Sequence, residues 1–417
     1  MAGVEAFAAI RYDFSRLAGN VSAVIAPPYD VLGASDKQAL LDRSPHNIVA
    51  IDLPHIPPKD EGPPQAYEQA AQRLGQWLDQ GVLVRESRPA LYLYNQTFVH
   101  EDRRYTRHQF IARVRLCAFS EGVVLPHEQT FGGPKADRLA LTRATRCNVS
   151  PVFGLYTDAD NAVGSMLESA AQRQADATAT VDDVEHAVWI VSDPAVINRV
   201  GDLMTPKRIY IADGHHRYTT ALNYRAWLTE QSGGSLPGNH PANYVMLVLA
   251  SMDDPGCVIL GYARVITDTD VSLETLLEAW APGAKRCDEA DADLVVYDGR
   301  SRTRAGLRFT NRAVLETLAP QRDPSWRVLD VAYLHAYLID DLLTGALQRP
   351  PKIAYHKSRA LACGQVEASG GVAVLPQPTP MAQLRAVSEA GELMPQKSTY
   401  FFPKLATGLA INPLYDD

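Results

Sequence analysis

The sequence predicts a mixed α/β fold of the α+β kind, with a largely antiparallel or mixed sheet. Three observations lead there. Strand-like and helix-like stretches alternate irregularly along the 417 residues. Several strand-like runs sit in pairs around short polar turns, as hairpins do. No GxGxxG opens a helix, which argues against a doubly wound dinucleotide fold. A chain of this length can bury a substantial core and divide into two or three domains.

Taken in order, residues 5–12 and Ala23-Val24-Ile25 read as strands, the second running into Ala26-Pro27-Pro28-Tyr29-Asp30-Val31. Two prolines forbid both a helix and a central strand there, so a stiff loop presents Tyr29 and Asp30 in defined directions. Ser35-Asp36 cap a short helix, and Asn47 to Leu53 reads as a strand. After a Pro-rich connection from Pro54 to Pro64 comes a helix over about 65–80, closed by Gly81. Strands over about 90–99 and 104–116 flank His100 to Arg103 as a hairpin. From 149 to 204 the pattern is strand, helix (161–172), strand (Ala187 to Val191), then a helix after Pro194. Residues 243–252 and 257–266 read as a hairpin around Asp253-Asp254-Pro255-Gly256. The tail mixes short strands with helices over 271–280, 328–343 and 379–393.

The chemistry is concentrated in three stretches. The central one is Lys207 to Leu222, where the apolar run Ile209-Tyr210-Ile211 turns at Asp213-Gly214 into a helix. Tyr218, Ala221, Leu222 and Leu228 have the spacing of its buried face. Gly214 permits positive φ or a close backbone approach. The free N–H groups and dipole of the helix start favour an anion. Arg217 can clamp two phosphate oxygens. His215 and His216 offer donors, a metal ligand or a proton acceptor.

The second stretch, Val123 to Arg138, pairs His127 with Glu128 ahead of a Gly132-Gly133 loop. Lys135, Arg138, Arg143 and Arg146 fall within roughly 140° on a helical wheel, which makes one basic face. The third, Met394 to Leu405, sets Lys397, Ser398, Thr399 and Lys404 among prolines, as in a loop folded over a polar ligand. Lys397 is placed to neutralise a phosphoryl group.

Composition narrows the function classes. The formal charge is −8, which disfavours indiscriminate nucleic-acid binding through counterion release. Five dispersed cysteines form no CxxC pair, as expected of reduced thiols inside a cell. No run approaches the roughly 18 apolar residues of a membrane span, and the first residues lack the pattern of a signal peptide. A cytoplasmic protein is expected.

Together the Pro-Pro-Tyr-Asp loop, Tyr105-Thr106-Arg107, Leu125 to Arg138, Ile211 to Leu222 and Met394 to Leu405 resemble the family known as DUF1015, end to end. The Asp213-Gly214-His215-His216-Arg217 turn is in turn similar to the glycine-led, Arg-containing box of the ParB/sulfiredoxin superfamily, and the Pro-Pro-Tyr loop to its first box. Members hold nucleotide phosphates there, the free-serine kinases among them. The resemblance implies a ParB/sulfiredoxin-like nucleotide-binding core (1–54 plus 205–270), a large inserted α/β region (55–204) and a C-terminal α/β extension (271–417). His215-His216 departs from the acidic-arginine pair of partition proteins, and no helix-turn-helix follows the box, which favours small-molecule chemistry over DNA clamping.

The expected activity is therefore a nucleotide-dependent small-molecule kinase. It moves a phosphoryl group from ATP or ADP, with Mg²⁺, to a free hydroxyl compound such as L-serine. The alternative is a non-catalytic nucleotide-binding regulator. Asp30, Glu128, Asp213 and His216 are the expected catalytic groups, with Asp213 also a metal ligand. Gly214, His215, Arg217, Lys135, Arg138, Lys397, Ser398 and Thr399 are expected to bind nucleotide phosphates, and Tyr29 and His127 to bind substrate. Sulfiredoxin-like repair needs a cysteine where His215 stands. A zinc site of His127, His215 and His216 would require irregular backbone at the adjacent pair.

Overall fold

The computed structural model describes residues 1–17, 20–128, 132–268 and 270–415. The expected turn residues Gln129, Thr130 and Phe131 lie outside them. The chain forms two compact units: Met1–Pro126 with Thr130–Cys257 and Pro403–Asp417, and His127–Gln129 with Val258–Phe402. The expected three-part division does not describe this arrangement. Residues 55–204 supply six central and edge strands of the same sheet that carries the Asp213 turn, so they are part of the core and not an insert.

The first unit is built on a nine-stranded sheet. Its strands are β1 (Val4–Glu5), β2 (Leu91–His100), β3 (Arg103–Arg115), β4 (Val124–Leu125), β5 (Val152–Tyr156), β6 (Ala177–Val181), β7 (Val184–Val191), β8 (Ile209–Asp213) and β9 (Tyr244–Ser251). Their order is β4-β8-β5-β9-β3-β2-β7-β6, with β1 beside β3. Most pairs are antiparallel; β4/β8 and β5/β9 are parallel. The expected mixed sheet is present. Glu101 and Asp102 adopt φ of 48° and 58°, as a two-residue turn of the β2–β3 hairpin requires.

Helices α1 (Ala34–Arg43), α2 (Val49–Asp52), α3 (Pro64–Asp79), α4 (Gly132–Thr145), α5 (Ala162–Ala170), α6 (Pro194–Met204) and α7 (His215–Gln231) complete the unit. Leu93, Phe110, Val152, Ile209, Ile211, Tyr218, Ala221 and Leu247 join one buried apolar cluster, so the start of α7 is anchored on the sheet.

Two expected strands are helical instead. Ala23 ends a 3-10 turn, and Val49–Asp52 is a helix. The reason is Asn47, whose Nδ2 donates to the carbonyls of Ala23 and Ile25 while its Oδ1 accepts from the Val49 N–H. That bridge starts α2 and overrides the strand preference of Ile48, Val49 and Ile51. The hairpin expected around Asp253 is also absent. Asp253 and Asp254 accept from the N–H groups of Asp158 and His108, and a Cβ on Gly256 would lie 2.5 Å from Arg107 Cα. The chain leaves the sheet there, and Val258–Leu260 pairs with Tyr400–Phe402.

The second unit has a six-stranded antiparallel sheet in the order 284–287, 303–309, 294–298, 372–376, 263–266, 353–356. Leu273–Trp280 and the helical run from Asp330 to Leu347 share one buried cluster with it. Ala362 and Val366, from Arg359–Ser369, join a second.

Candidate functional site

The first unit brings the Pro-Pro-Tyr loop, α2, α4 and the β8–α7 junction together around three cations. Gly214 has φ of 85°, and a Cβ there would meet Arg217 Nε at 2.8 Å. The position therefore demands glycine on two counts, backbone hand and space. It turns Asp213, the last residue of β8, onto the first turn of a 17-residue helix.

Arg217 is 9% exposed. It donates through Nη1 to the Pro151 carbonyl, and its Nη2 lies 3.4 Å from Asp213 Oδ2. Lys404 Nζ reaches the same oxygen at 3.2 Å. Burial opposes ionisation of Asp213, but Lys404, Arg217 and His215 outweigh it and hold the carboxyl well below its usual range. A carboxylate so stabilised is a poor base, and its Oδ2, already held by two cations, is a poor metal ligand. Asp213 therefore does not fit the expected roles of catalytic base and metal ligand. Among the described residues no cluster of three His, Cys, Asp or Glu could hold a metal.

Arg138 is not the phosphate-facing residue the wheel suggested. It is 4% exposed, with Nη1 on the Asp52 carbonyl at 2.6 Å and Nη2 2.7 Å from Asp137 Oδ2. Its guanidinium lies 3.9 Å from the Tyr29 ring centroid. Arg138 is spent on this packing, and the expected single basic face does not exist: Arg143 lies over Trp227 and Arg146 over Tyr415. Tyr29 is buried beneath Arg138, so its expected substrate contact gives way to a packing one. Burial raises its phenol pKa despite the nearby Arg138. Asp30, in the 3-10 turn Tyr29–Val31, is exposed and within electrostatic range of Arg217.

Asp52 and Asp137 join this cluster without having been expected there, and Lys404, expected only as one of two lysines of a ligand loop, reaches Asp213. Asp52 was hidden in an apparent strand. Asp137 lies in the second stretch beside Arg138, whose ion partner it is. Behind the junction lies a cavity of ≈ 30 Å³ lined by Asp52, Arg138, Ser150, Arg217 and Thr220 among others. That volume admits a water or two and no nucleotide. Gly132-Gly133, expected as a loop, opens α4. Lys135, His215 and His216 stand at the starts of α4 and α7, with His215 buried and the other two half-buried.

The remaining expected site residues belong to the second unit, where they form their own cluster. His127 Nε2 and Thr399 Oγ1 are 2.9 Å apart, and the Lys397 N–H donates to Glu128 Oε1. Ser398 donates to the Pro395 carbonyl, and Lys397 has φ of 57°. Lys397 Nζ lies 5.3 Å from the Tyr262 ring centroid. Buried Arg264 fixes this loop from behind, donating through Nη2 to the Lys397 carbonyl and through Nε to His335 Nε2.

A mixed α/β protein with a glycine-led helix start surrounded by arginine, lysine and histidine is the class these observations define. The chain belongs to the family described as Protein of unknown function (DUF1015), whose model matches residues 4–332. No curated protein matches it. Among solved structures it is similar to a free serine kinase mutant in complex with ADP, with 10% identity, a TM-score of 0.34, and coverage of 72% of this chain and 92% of that one. It is also similar to SbnI with a C-terminal truncation from Staphylococcus aureus (14%, TM-score 0.36, 73% and 87%). A third is a conserved hypothetical protein from Pyrococcus furiosus (11%, TM-score 0.32, 72% and 95%). No helix among the described residues is long and apolar enough to cross a membrane.

Proposed function

We propose that the protein is a nucleotide-dependent phosphotransferase whose β8–α7 junction holds the phosphates of ATP or ADP, and that its acceptor is a free hydroxyl compound, L-serine being the first to test. One observation carries the reading: Gly214, at φ of 85°, opens α7 with Arg217 and Lys404 both gathered on Asp213 at that helix start. A helix dipole and pre-oriented cations at a helix start are what a transferring phosphoryl group needs.

In the step itself, the acceptor oxygen bonds to the terminal phosphorus as the bond to the leaving nucleotide oxygen breaks. Asp30, exposed and within electrostatic range of Arg217, is the carboxylate to which this reading gives the hydroxyl proton. His215 and His216 add donors at the helix start. Lys135, at the start of α4, supplies further positive charge. Mg²⁺ would arrive on the nucleotide, since Asp213 Oδ2 is already held by two cations.

The direct test incubates the protein with ATP or ADP, Mg²⁺ and a panel of amino acids and sugars including L-serine. A phosphorylated product is expected, and loss of its formation in Asp30→Asn. Absence of nucleotide consumption across the panel removes the kinase reading. The second reading is a regulator that binds nucleotide without turnover, for which ATP raises the melting temperature and no product forms.

A further inference from the structure

Lys404 reaches the junction from the far end of the chain, and the way it is held is costly. We propose that Lys404 is a second anion-binding cation of the α7 junction, delivered by a buried polar clamp of Arg107, Gln96 and Gln109 acting as positioning residues. This rests on the reading of the junction as a phosphate site.

Arg107 and Gln96 face each other across β3 and β2, and both are 0% exposed; Gln109 is 1% exposed. A guanidinium and two amides at the centre of a sheet lose their hydration, and apolar residues of similar size would pack there at lower cost. What the group holds explains it. Arg107 donates to Gln96 Oε1 and, at 2.8 Å, to the Pro403 carbonyl. Gln109 Nε2 donates to Gln96 Oε1 at 3.0 Å, leaving Gln96 Nε2 turned to the Lys404 carbonyl at 2.9 Å. The Ala406 N–H donates to Tyr94 OH, on β2. The backbone of Pro403, Lys404 and Ala406 is thus docked on two strands, and the Lys404 side chain emerges with Nζ on Asp213 Oδ2.

Asp213 then bears two cations on one oxygen, at 3.4 Å for Arg217 and 3.2 Å for Lys404. An ammonium has three rotatable donors, so Lys404 can keep Asp213 while turning another towards a phosphate oxygen at the helix start.

The experiment combines ATP titration with lysine acetylation followed by peptide mass spectrometry on the full chain. Lys404→Met is expected to weaken ATP binding roughly tenfold, the scale of one charge-assisted contact, with Lys404→Arg recovering part of it. ATP should slow acetylation of Lys404 in the wild type. Gln96→Leu should speed it in the free protein and weaken ATP a few-fold. Arg107→Met is a second clamp variant should Gln96→Leu fold poorly. ATP affinity unchanged in Lys404→Met but lost in Arg217→Ala overturns the proposal and leaves the phosphate reading standing. Acetylation of Lys404 unchanged in both clamp variants overturns the positioning half. No ATP binding by the wild type overturns the phosphate reading and the anion role with it.

Discussion

Arg217 and Arg264 are both buried arginines at the heart of a polar cluster, yet they are satisfied in opposite ways. Arg217, in the first unit, holds one carbonyl, that of Pro151, but otherwise faces carboxylates: burial lowers its pKa, and Asp213 directly, with Asp30 and Asp52 in range, more than offsets that. Arg264, in the second unit, faces neutral acceptors, the carbonyls of Tyr262 and Lys397 and the ring of His335. Burial therefore pushes its pKa down to about 10, and burial together with Arg264 pushes His335 down to about 3. A cation shared among carboxylates can exchange one partner for an incoming phosphate oxygen. A cation clamped on backbone carbonyls fixes a loop. The first arrangement suits binding; the second suits support.

The largest test of that contrast is Arg138→Met. It leaves Asp52 and Asp137 buried beside a vanished partner, and a loss of about 3–5 kcal/mol in unfolding free energy is expected at neutral pH. A loss under 1 kcal/mol by denaturant titration would mean that the carboxylates are not charge-compensated as described.

Gly214→Ala comes next. The left-handed backbone costs an alanine about 1–2 kcal/mol, and its Cβ must also displace Arg217. The substitution should lower the melting temperature and abolish nucleotide binding together, measured on one sample. Intact binding would detach Arg217 from the site.

The smallest effect is in the pH dependence of the second unit. His335 has its folded pKa depressed below the ordinary 6.5, so the unfolded chain binds the extra proton. Its contribution is complete above the unfolded value and fades as pH falls towards the folded one, with a slope of at most about 1.4 kcal/mol per pH unit. His186, depressed to about 4, acts in the same sense in the first unit. Stability followed from about pH 6.5 to 4.5, above the range where most carboxylates protonate, should fall. His335→Gln should flatten the part of that fall belonging to the second unit. An unchanged profile would contradict the neutral pairing of His335 with Arg264.

How much of this was legible in the residues follows from the range of the interactions. The β8–α7 junction was readable because its signals are local: an apolar run, Asp213-Gly214, then helical periodicity, all within 20 residues. The β2–β3 hairpin was readable for the same reason. Asn47 was not, because its effect depends on carbonyls more than twenty residues away that no periodicity reveals. Arg138 misled because a helical wheel places side chains around an axis and cannot show Asp52 waiting across the fold. Lys404 needed the pairing of β2 with β3 and the return of the chain end to the sheet, contacts that span about three hundred positions.

The central claim is that the glycine-led start of α7 receives phosphates. Melting temperature measured against ATP concentration with Mg²⁺, for the wild type and Arg217→Ala side by side, addresses it most directly. A shift that grows with ATP in the wild type and vanishes in the variant is the predicted result. The same shift in both proteins, or none in the wild type, would contradict it.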